Sequence, residues 1–135
     1  MTITGLNHIT LTVADLPRAV AFYTDLLGAV QHTDSPHSAY LELGSLWLCL
    51  ERAETVTPRT DDTHIAFSCA PDAFAALADR ISAHAPLWKE NRSEGASLYF
   101  VDPDGHRLEL HVGNLATRLA HYRAHPEKGV TVLTS

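Results

Sequence analysis

The stretch LNHITLTV, residues 6–13, decides the fold because a related stretch, DTHIAFSC, occurs at residues 62–69. Each stretch places a His-Ile pair near the start of a strand-like segment, and a helical pattern follows each. Self-similarity of this kind indicates an internal repeat. We therefore predict that the chain contains two copies of one structural module.

A helical pattern of apolar residues follows each copy of the repeat. After Pro17 the apolar residues recur at the 3.6-residue spacing until Gly28 closes the pattern. After Pro71 the same spacing runs to Ile81, and Pro86 ends it. We expect both Pro17 and Pro71 to lie in the first turn of a helix, where a missing N–H group is tolerated.

Strand-like segments complete each half of the chain. The first half contains AYLELG and LWLCLE, and the second contains SLYFVD and RLELHV. Short runs around residues 29–33 and 87–89 are candidates for one more strand in each half. The sequence therefore predicts an α+β fold of two βαβββ modules.

These modules are expected at residues 4–52 and 61–113, within one domain that covers residues 1–135. The polar segment RAETVTPRTD links them. A final helix is predicted at residues 114–124 because Asn114 is a favourable N-cap residue. The remaining tail is expected to be a loop with room for one short strand.

Composition excludes several classes of protein. The chain has 135 residues, of which 45% are hydrophobic, and its formal net charge is −6. An acidic chain is a poor nucleic-acid binder, and no apolar run approaches the ~20 residues of a membrane span. The N-terminus resembles no secretory signal, and the two cysteines lack the spacing of a redox or zinc motif. We therefore expect a cytoplasmic protein that binds neither nucleic acid nor membrane.

Three polar residues occupy strands at positions where strand alternation gives them a common orientation. His8 and His64 begin the two repeated strands, and Glu109 lies between Leu108 and Leu110. If the two modules form one curved mixed sheet, these side chains line a common cavity and provide a divalent-metal site. Alternation alone fits equally well a half-exposed sheet on which these residues face solvent.

Longer motifs resemble those of a known family. The segments GLNHITLTVADLPRAVAFYTDLLG, WKENRSEGAS and DPDGHRLELHVG are similar to segments of the vicinal oxygen chelate superfamily, and in particular of its glutathione-dependent fosfomycin-resistance proteins. The resemblance implies a homodimer with active sites built from both subunits. It also implies Mn²⁺ bound by His8, His64 and Glu109, and K⁺ bound by a loop over residues 91–97.

The implied reaction is attack of the glutathione thiol on the epoxide of fosfomycin, which inactivates the drug. Fosfomycin carries a phosphonate beside the epoxide, so the site needs charged and hydroxyl donors. Thr10, Tyr40 and Lys89 match positions with catalytic roles. The positions matching the substrate-binding set are Thr10, Trp47, Lys89, Ser93, Ser97, Tyr99 and Arg118. The positions matching the potassium loop are Asn91, Ser93, Glu94, Gly95 and Ser97.

The sequence departs from the family pattern around the expected thiol path. Asp62 and Ile65 stand where the family usually has Tyr, Thr33-Asp34 where it has Arg-Trp, and Glu127 where it has an aromatic residue. The identity of the nucleophile is therefore less constrained than that of the drug. Water or another thiol is an alternative nucleophile, and Glu42 is the candidate base for water.

Two further alternatives follow from the superfamily. One is a drug-binding module without chemistry, whose members generally lack the three metal ligands. The other is an unrelated metal enzyme such as a glyoxalase or dioxygenase, against which the phosphonate set argues. His111 is the nearest competitor as a metal ligand because it lies two residues from Glu109.

Overall fold

The computed structural model describes residues 2–135. The first repeat folds as a strand, a helix and three strands. Its helix α1 continues as a π-helical segment over Phe22–Leu26. The elements are β1 His8–Val13, α1 Leu16–Ala21, β2 Val30–Gln31, β3 Ser38–Leu43 and β4 Leu46–Arg52.

The second repeat has the same order of elements, so the prediction of two βαβββ modules is confirmed. Its elements are β5 Ile65–Ser68, α2 Phe74–His84, β6 Leu87–Lys89, β7 Ser97–Val101 and β8 Arg107–His111. The placement of Pro71 was wrong. It lies in the turn before α2, and the helix begins three residues later.

The predicted final helix is present as α3, Leu115–Ala124. The Asn114 side chain accepts a hydrogen bond from the Thr117 N–H, and the Thr117 hydroxyl oxygen accepts one from the Asn114 N–H, so the two residues form a capping box. A short 3₁₀ helix, Pro126–Lys128, follows. The described tail contains no strand.

Hydrogen bonding groups the strands into two four-stranded mixed sheets, one in each module. The first sheet has the order β1-β4-β3-β2, with β1 and β4 parallel and the other pairs antiparallel. The second has the corresponding order β5-β8-β7-β6. In it β5 is parallel to β8, and β6 is antiparallel to β7. The repeat in the sequence is therefore a repeat of topology.

The described residues form two compact units. The first consists of residues 2–63 with residues 101–106, and the second consists of residues 64–100 with 107–135. The buried side chains of the first include Val13, Tyr23 and Leu48, and those of the second include Phe100 and Leu108. Both cores use the strand faces that alternation predicts to be apolar.

A buried polar network lies within the first unit. The Tyr23 hydroxyl, on the π-helical segment, donates a 2.7 Å hydrogen bond to Asp102 Oδ2. Asp102 Oδ1 accepts from the backbone N–H groups of Asp104 and His106. Asp104 Oδ1 in turn accepts from the Ala14 N–H. These bonds fix the turn DPDG to the first repeat.

None of the helices in residues 2–135 has both the length and the apolar character needed to cross a membrane.

Candidate functional site

One face of the first sheet carries the predicted residues of the first unit. We call His8, Thr10, Tyr40 and Trp47 the first-sheet face. His8 pairs with Trp47 across β1 and β4, and their ring centroids are 4.4 Å apart. Trp47 meets Tyr40 edge to face at 5.4 Å. The strand register puts these side chains on one face, opposite the buried Leu48 and Leu50 of β4.

The His8 ring is oriented by its neighbour. Its Nδ1 lies 2.7 Å from Asn7 Oδ1. Because an amide oxygen only accepts, the proton of the neutral ring is on Nδ1, and Nε2 carries the free lone pair. A neutral imidazole with a free ring nitrogen is the form that binds metals. The geometry of His8 therefore suits a metal ligand.

The second sheet brings together four polar side chains, which we call the Glu109 cluster: His64, Ser97, Glu109 and His111. His64 Nε2 lies 3.0 Å from Glu109 Oε1. The Ser97 hydroxyl donates a 2.6 Å hydrogen bond to Glu109 Oε2, and Ser97 Oγ lies 2.7 Å from His111 Nδ1. The Glu109 side chain is 8% exposed. The Glu109 carboxylate is therefore stabilised by these hydrogen bonds rather than by contact with bulk water.

The Glu109 cluster has suitable groups for a divalent cation. One imidazole nitrogen and one carboxylate oxygen converge on the same point, and both are donor types that Mn²⁺ accepts. The two predicted ligands His64 and Glu109 are thus brought together, whereas His8 belongs to the other unit. Within residues 2–135, no group of three or more His, Cys, Asp or Glu side chains is arranged to hold a metal ion.

The predicted phosphonate donors of the second unit lie near this cluster but differ in availability. Tyr99 packs edge to face against His64, with centroids 5.9 Å apart. Lys89 Nζ lies 5.2 Å from the centre of the Tyr99 ring. The proton of the Ser97 hydroxyl is committed to Glu109 in this arrangement, so Ser97 does not offer it to another acceptor.

Arg118 of α3 is tied to the loop over residues 91–97. Its Nε donates a 3.0 Å hydrogen bond to the Glu94 carboxylate, and Nη2 donates to the Glu94 carbonyl oxygen. The bond to Glu94 is the main cause that raises the pKa of Arg118. Arg118 therefore braces the loop as well as carrying positive charge.

Internal hydrogen bonds hold the loop itself closed. The Asn91 side-chain amide donates to the Gly95 carbonyl oxygen at 2.8 Å, and the Ser93 hydroxyl donates to Asn91 Oδ1 at 3.0 Å. Gly95 has a φ of +84°, a conformation that favours glycine. Four of the five residues predicted to bind K⁺ thus lie in one folded loop, and the fifth, Ser97, begins β7 directly after it. The ion remains a prediction.

The residues that depart from the family pattern are dispersed. Asp34 lines a cavity of about 760 Å³ in the first unit, bounded by α1 and residues 31–36. Glu127 Oε1 lies 2.9 Å from His125 Nδ1, and its own backbone N–H and the His125 ring lower its pKa. Ile65 opposes Leu108 in the second sheet, and Asp62 is in the segment before β5. No residue of the first-sheet face lines the cavity.

Sequence reasoning considered His111 only as a competing metal ligand and missed its contact with Ser97; the structure places His111 Nδ1 2.7 Å from Ser97 Oγ and 3.4 Å from Glu109 Oε2. Strand alternation could have indicated this contact, since His111 follows Glu109 by two residues and shares its strand face. Trp88 was also missed. Its indole N–H donates to the Leu108 carbonyl oxygen, and its ring lies 5.3 Å from that of His64.

Comparison with known proteins defines the family. The model of the Glyoxalase/Bleomycin resistance protein/Dioxygenase superfamily matches residues 5–110. The chain belongs to this superfamily. It is 49% identical to the glutathione transferase FosA of Serratia marcescens, over 97% of this chain and 96% of that protein. It is 37% identical to the metallothiol transferase FosB of Staphylococcus haemolyticus, over 90% and 92% of the two chains.

Solved structures agree with the fold. A variant of the fosfomycin resistance protein FosX from Listeria monocytogenes, complexed with Mn(II) and 1S,2S-dihydroxypropylphosphonic acid, has a TM-score of 0.79 to this chain. The two are 32% identical, with 87% of this chain and 99% of that chain covered. FosX from Mesorhizobium loti has a TM-score of 0.77 at 29% identity, with the same coverage of both chains.

Proposed function

We propose that this chain is a metal-dependent glutathione transferase that opens the epoxide of fosfomycin by thiol addition and so confers resistance. The observation that carries the proposal is the 49% identity to the Serratia glutathione transferase FosA over nearly the full length of both chains. The Glu109 cluster supports it, because it pairs an imidazole with a buried carboxylate beside a lysine and a tyrosine.

The reaction forms a carbon–sulfur bond and breaks a carbon–oxygen bond of the epoxide. The thiolate sulfur attacks a ring carbon, the ring oxygen leaves as an alkoxide, and the alkoxide then takes up a proton. A divalent metal bound by His64, Glu109 and His8 would act as a Lewis acid toward that oxygen. We assign Mn²⁺ to this position because carboxylate and imidazole ligands suit it.

The chain's own residues bind and orient the reactants. Lys89 and Tyr99 provide a cation and a hydroxyl for the phosphonate, and Thr10 supplies a further hydroxyl from the first-sheet face. Tyr40, which is 40% exposed on that face, meets the incoming thiol. Trp47 gives an apolar wall beside His8.

Three finer features complete the proposal. The loop over residues 91–97 binds K⁺ through its carbonyl and side-chain oxygens, which are the ligands that hard cations prefer. The protein acts as a homodimer in the cytoplasm, where thiols are kept reduced. Residues 1–135 act as one domain.

Phosphorus NMR of fosfomycin mixed with the protein tests the proposal. With glutathione, Mn²⁺ and K⁺ present, we expect a glutathione adduct that does not form when Mn²⁺ is omitted. Glu109→Gln should abolish adduct formation while leaving the thermal unfolding curve largely unchanged. Glu90→Gln makes the same change at a side chain that is 87% exposed in the same unit and serves as the matched control.

The outcomes separate the proposal from its alternatives. Normal turnover by Glu109→Gln would exclude Glu109 as a metal ligand. A diol formed without thiol would indicate water as nucleophile, and Glu42, which lies 2.9 Å from His32 on the strand face of Tyr40, would be the base to test. Binding of fosfomycin without turnover would indicate another thiol or a binding role.

A further inference from the structure

The His111 ring occupies a narrow slot between two glycine residues. A methyl group added at Gly95 would lie 2.9 Å from His111 Cε1, and one added at Gly113 would lie 2.9 Å from His111 Nε2. The same methyl group at Gly113 would also lie 3.0 Å from Thr117 Oγ1. Because real side chains do not approach so closely, the ring can occupy this position only if both neighbours are glycine. The slot holds the ring in one orientation, with its side chain 15% exposed.

In this orientation His111 contacts Ser97, and the direction of the two hydrogen bonds made by Ser97 follows from their partners. An ionised carboxylate only accepts, so Ser97 donates its single hydroxyl proton to Glu109 Oε2. The Ser97 oxygen must then accept from His111 Nδ1, which carries the ring proton. Two hydrogen bonds therefore run in series from His111 through Ser97 to Glu109.

This series leaves one carboxylate oxygen for the metal. Ser97 holds Oε2 of Glu109, while Oε1 is directed toward His64 Nε2. A hydrogen bond to one oxygen restrains rotation of the carboxylate while the other oxygen binds a cation. Hydrogen bonds to ligating carboxylates are known to set metal affinity in this way.

We propose that His111 is a positioning residue for Glu109, acting through Ser97, and that it links the loop over residues 91–97 to the metal ligand. The loop is part of this connection because its residue Gly95 forms one wall of the slot that holds the His111 ring. The inference rests on the proposed function, since it assumes that Glu109 binds a divalent metal.

The test is the affinity for Mn²⁺ alone, measured from the electron paramagnetic resonance signal of the free ion without fosfomycin or glutathione. His111→Leu removes the Nδ1 donor at similar volume. His111→Asn keeps a donor at the position of Nδ1, because both groups are two bonds from Cβ. We expect His111→Leu to weaken Mn²⁺ binding about 10- to 100-fold and His111→Asn to restore most of the loss.

Two further variants test whether His111 acts through Ser97 and whether the effect is specific to His111. Ser97→Ala removes the intermediate hydroxyl, so its effect and that of His111→Leu should be strongly non-additive in the double variant. This comparison remains informative if His111→Leu alone proves unstable, because Ser97→Ala leaves the slot filled. His84→Leu, at an exposed histidine of the same unit, is the matched control and should bind Mn²⁺ like the wild type.

The failure of this inference differs from a failure of the proposed function. Wild-type Mn²⁺ affinity in both His111→Leu and Ser97→Ala would overturn the positioning role even if the adduct forms normally. Equal losses in His111→Asn and His111→Leu would also overturn it, since packing and not the donor would then be responsible. An enzyme that binds Mn²⁺ but forms no adduct would contradict the proposed function and leave the positioning role intact.

Discussion

Replacing Tyr23 by Phe removes one hydroxyl from the buried network of the first unit. Tyr23 is fully buried and donates a 2.7 Å hydrogen bond to Asp102, which is 4% exposed. The substitution deletes a single oxygen atom and keeps the ring that packs in the core. Its main effect is therefore to leave Asp102 Oδ2 without its donor.

The expected loss can be estimated from the network. Leaving a buried acceptor without a partner costs about 1–3 kcal/mol. Asp102 retains two backbone donors on its other oxygen, which places the cost near the middle of that range, at about 2 kcal/mol. For a chain of this length that corresponds to a fall in Tm of roughly 7 °C.

The loss should depend on pH because Asp102 titrates. Burial raises the pKa of Asp102, and the Tyr23 hydroxyl is the strongest opposing cause. A carboxyl with a raised folded-state pKa favours the protonated form, so its stabilising contribution is present at low pH and is lost as pH rises through the folded pKa. Without Tyr23 the pKa rises further, and the variant should lose more stability at neutral pH than at a pH below the folded-state pKa of Asp102.

Urea denaturation at both pH values measures the effect. Tyr40→Phe is the matched control because it removes the same hydroxyl at an exposed position of the same unit, and we expect a change within about 0.5 kcal/mol. In an Asp102→Asn background the pH dependence of the Tyr23→Phe effect should disappear. A loss no larger than that of Tyr40→Phe, or one equal at both pH values, would refute the role assigned to this hydrogen bond.

Two more predictions concern the loop over residues 91–97. Gly95→Ala should lower Tm and weaken activation by K⁺, because the added methyl group would overlap the Val112 carbonyl oxygen. Gly129→Ala is the control, because Gly129 has a similar φ but open space around it. The difference in Tm between the two variants therefore measures the overlap, apart from backbone strain. Arg118→Lys should raise the K⁺ concentration that gives half-maximal adduct formation, since a point charge cannot replace the two guanidinium contacts with Glu94. Arg123→Lys on the same helix is its control, and an unchanged K⁺ response in Arg118→Lys would contradict the bracing role.

The sequence predicted the features that depend on local periodicity. Strand alternation placed Glu109 with His111 on one face of β8, and the repeated His-Ile pair located β1 and β5. These predictions succeed because the period of two is a property of each strand alone. The capping role of Asn114 was also predictable, because an N-cap depends only on residues at the start of its own helix.

Contacts between distant segments were not predictable in this way. Ser97 and His111 meet only because the strands that carry them align in the second sheet, and Arg118 meets Glu94 only because α3 packs against the loop. The π-helical segment after α1 has no sequence signal that separates it from an ordinary helix, yet it carries the Tyr23 hydroxyl bound by Asp102. Pro71 was misplaced because proline is also common in the turn before a helix.

The hydrogen bond between Tyr23 and Asp102 determines whether the first repeat can be separated from the second as a fragment. Residues 101–106 come from the second repeat, yet they complete the interior of the first unit. A fragment that ends in the linker would contain every strand and helix of the first repeat but would lack the acceptor that the Tyr23 hydroxyl has in the whole chain. The two repeats are therefore not two independent units, because the first unit takes a buried hydrogen-bond acceptor from a turn that the second repeat supplies.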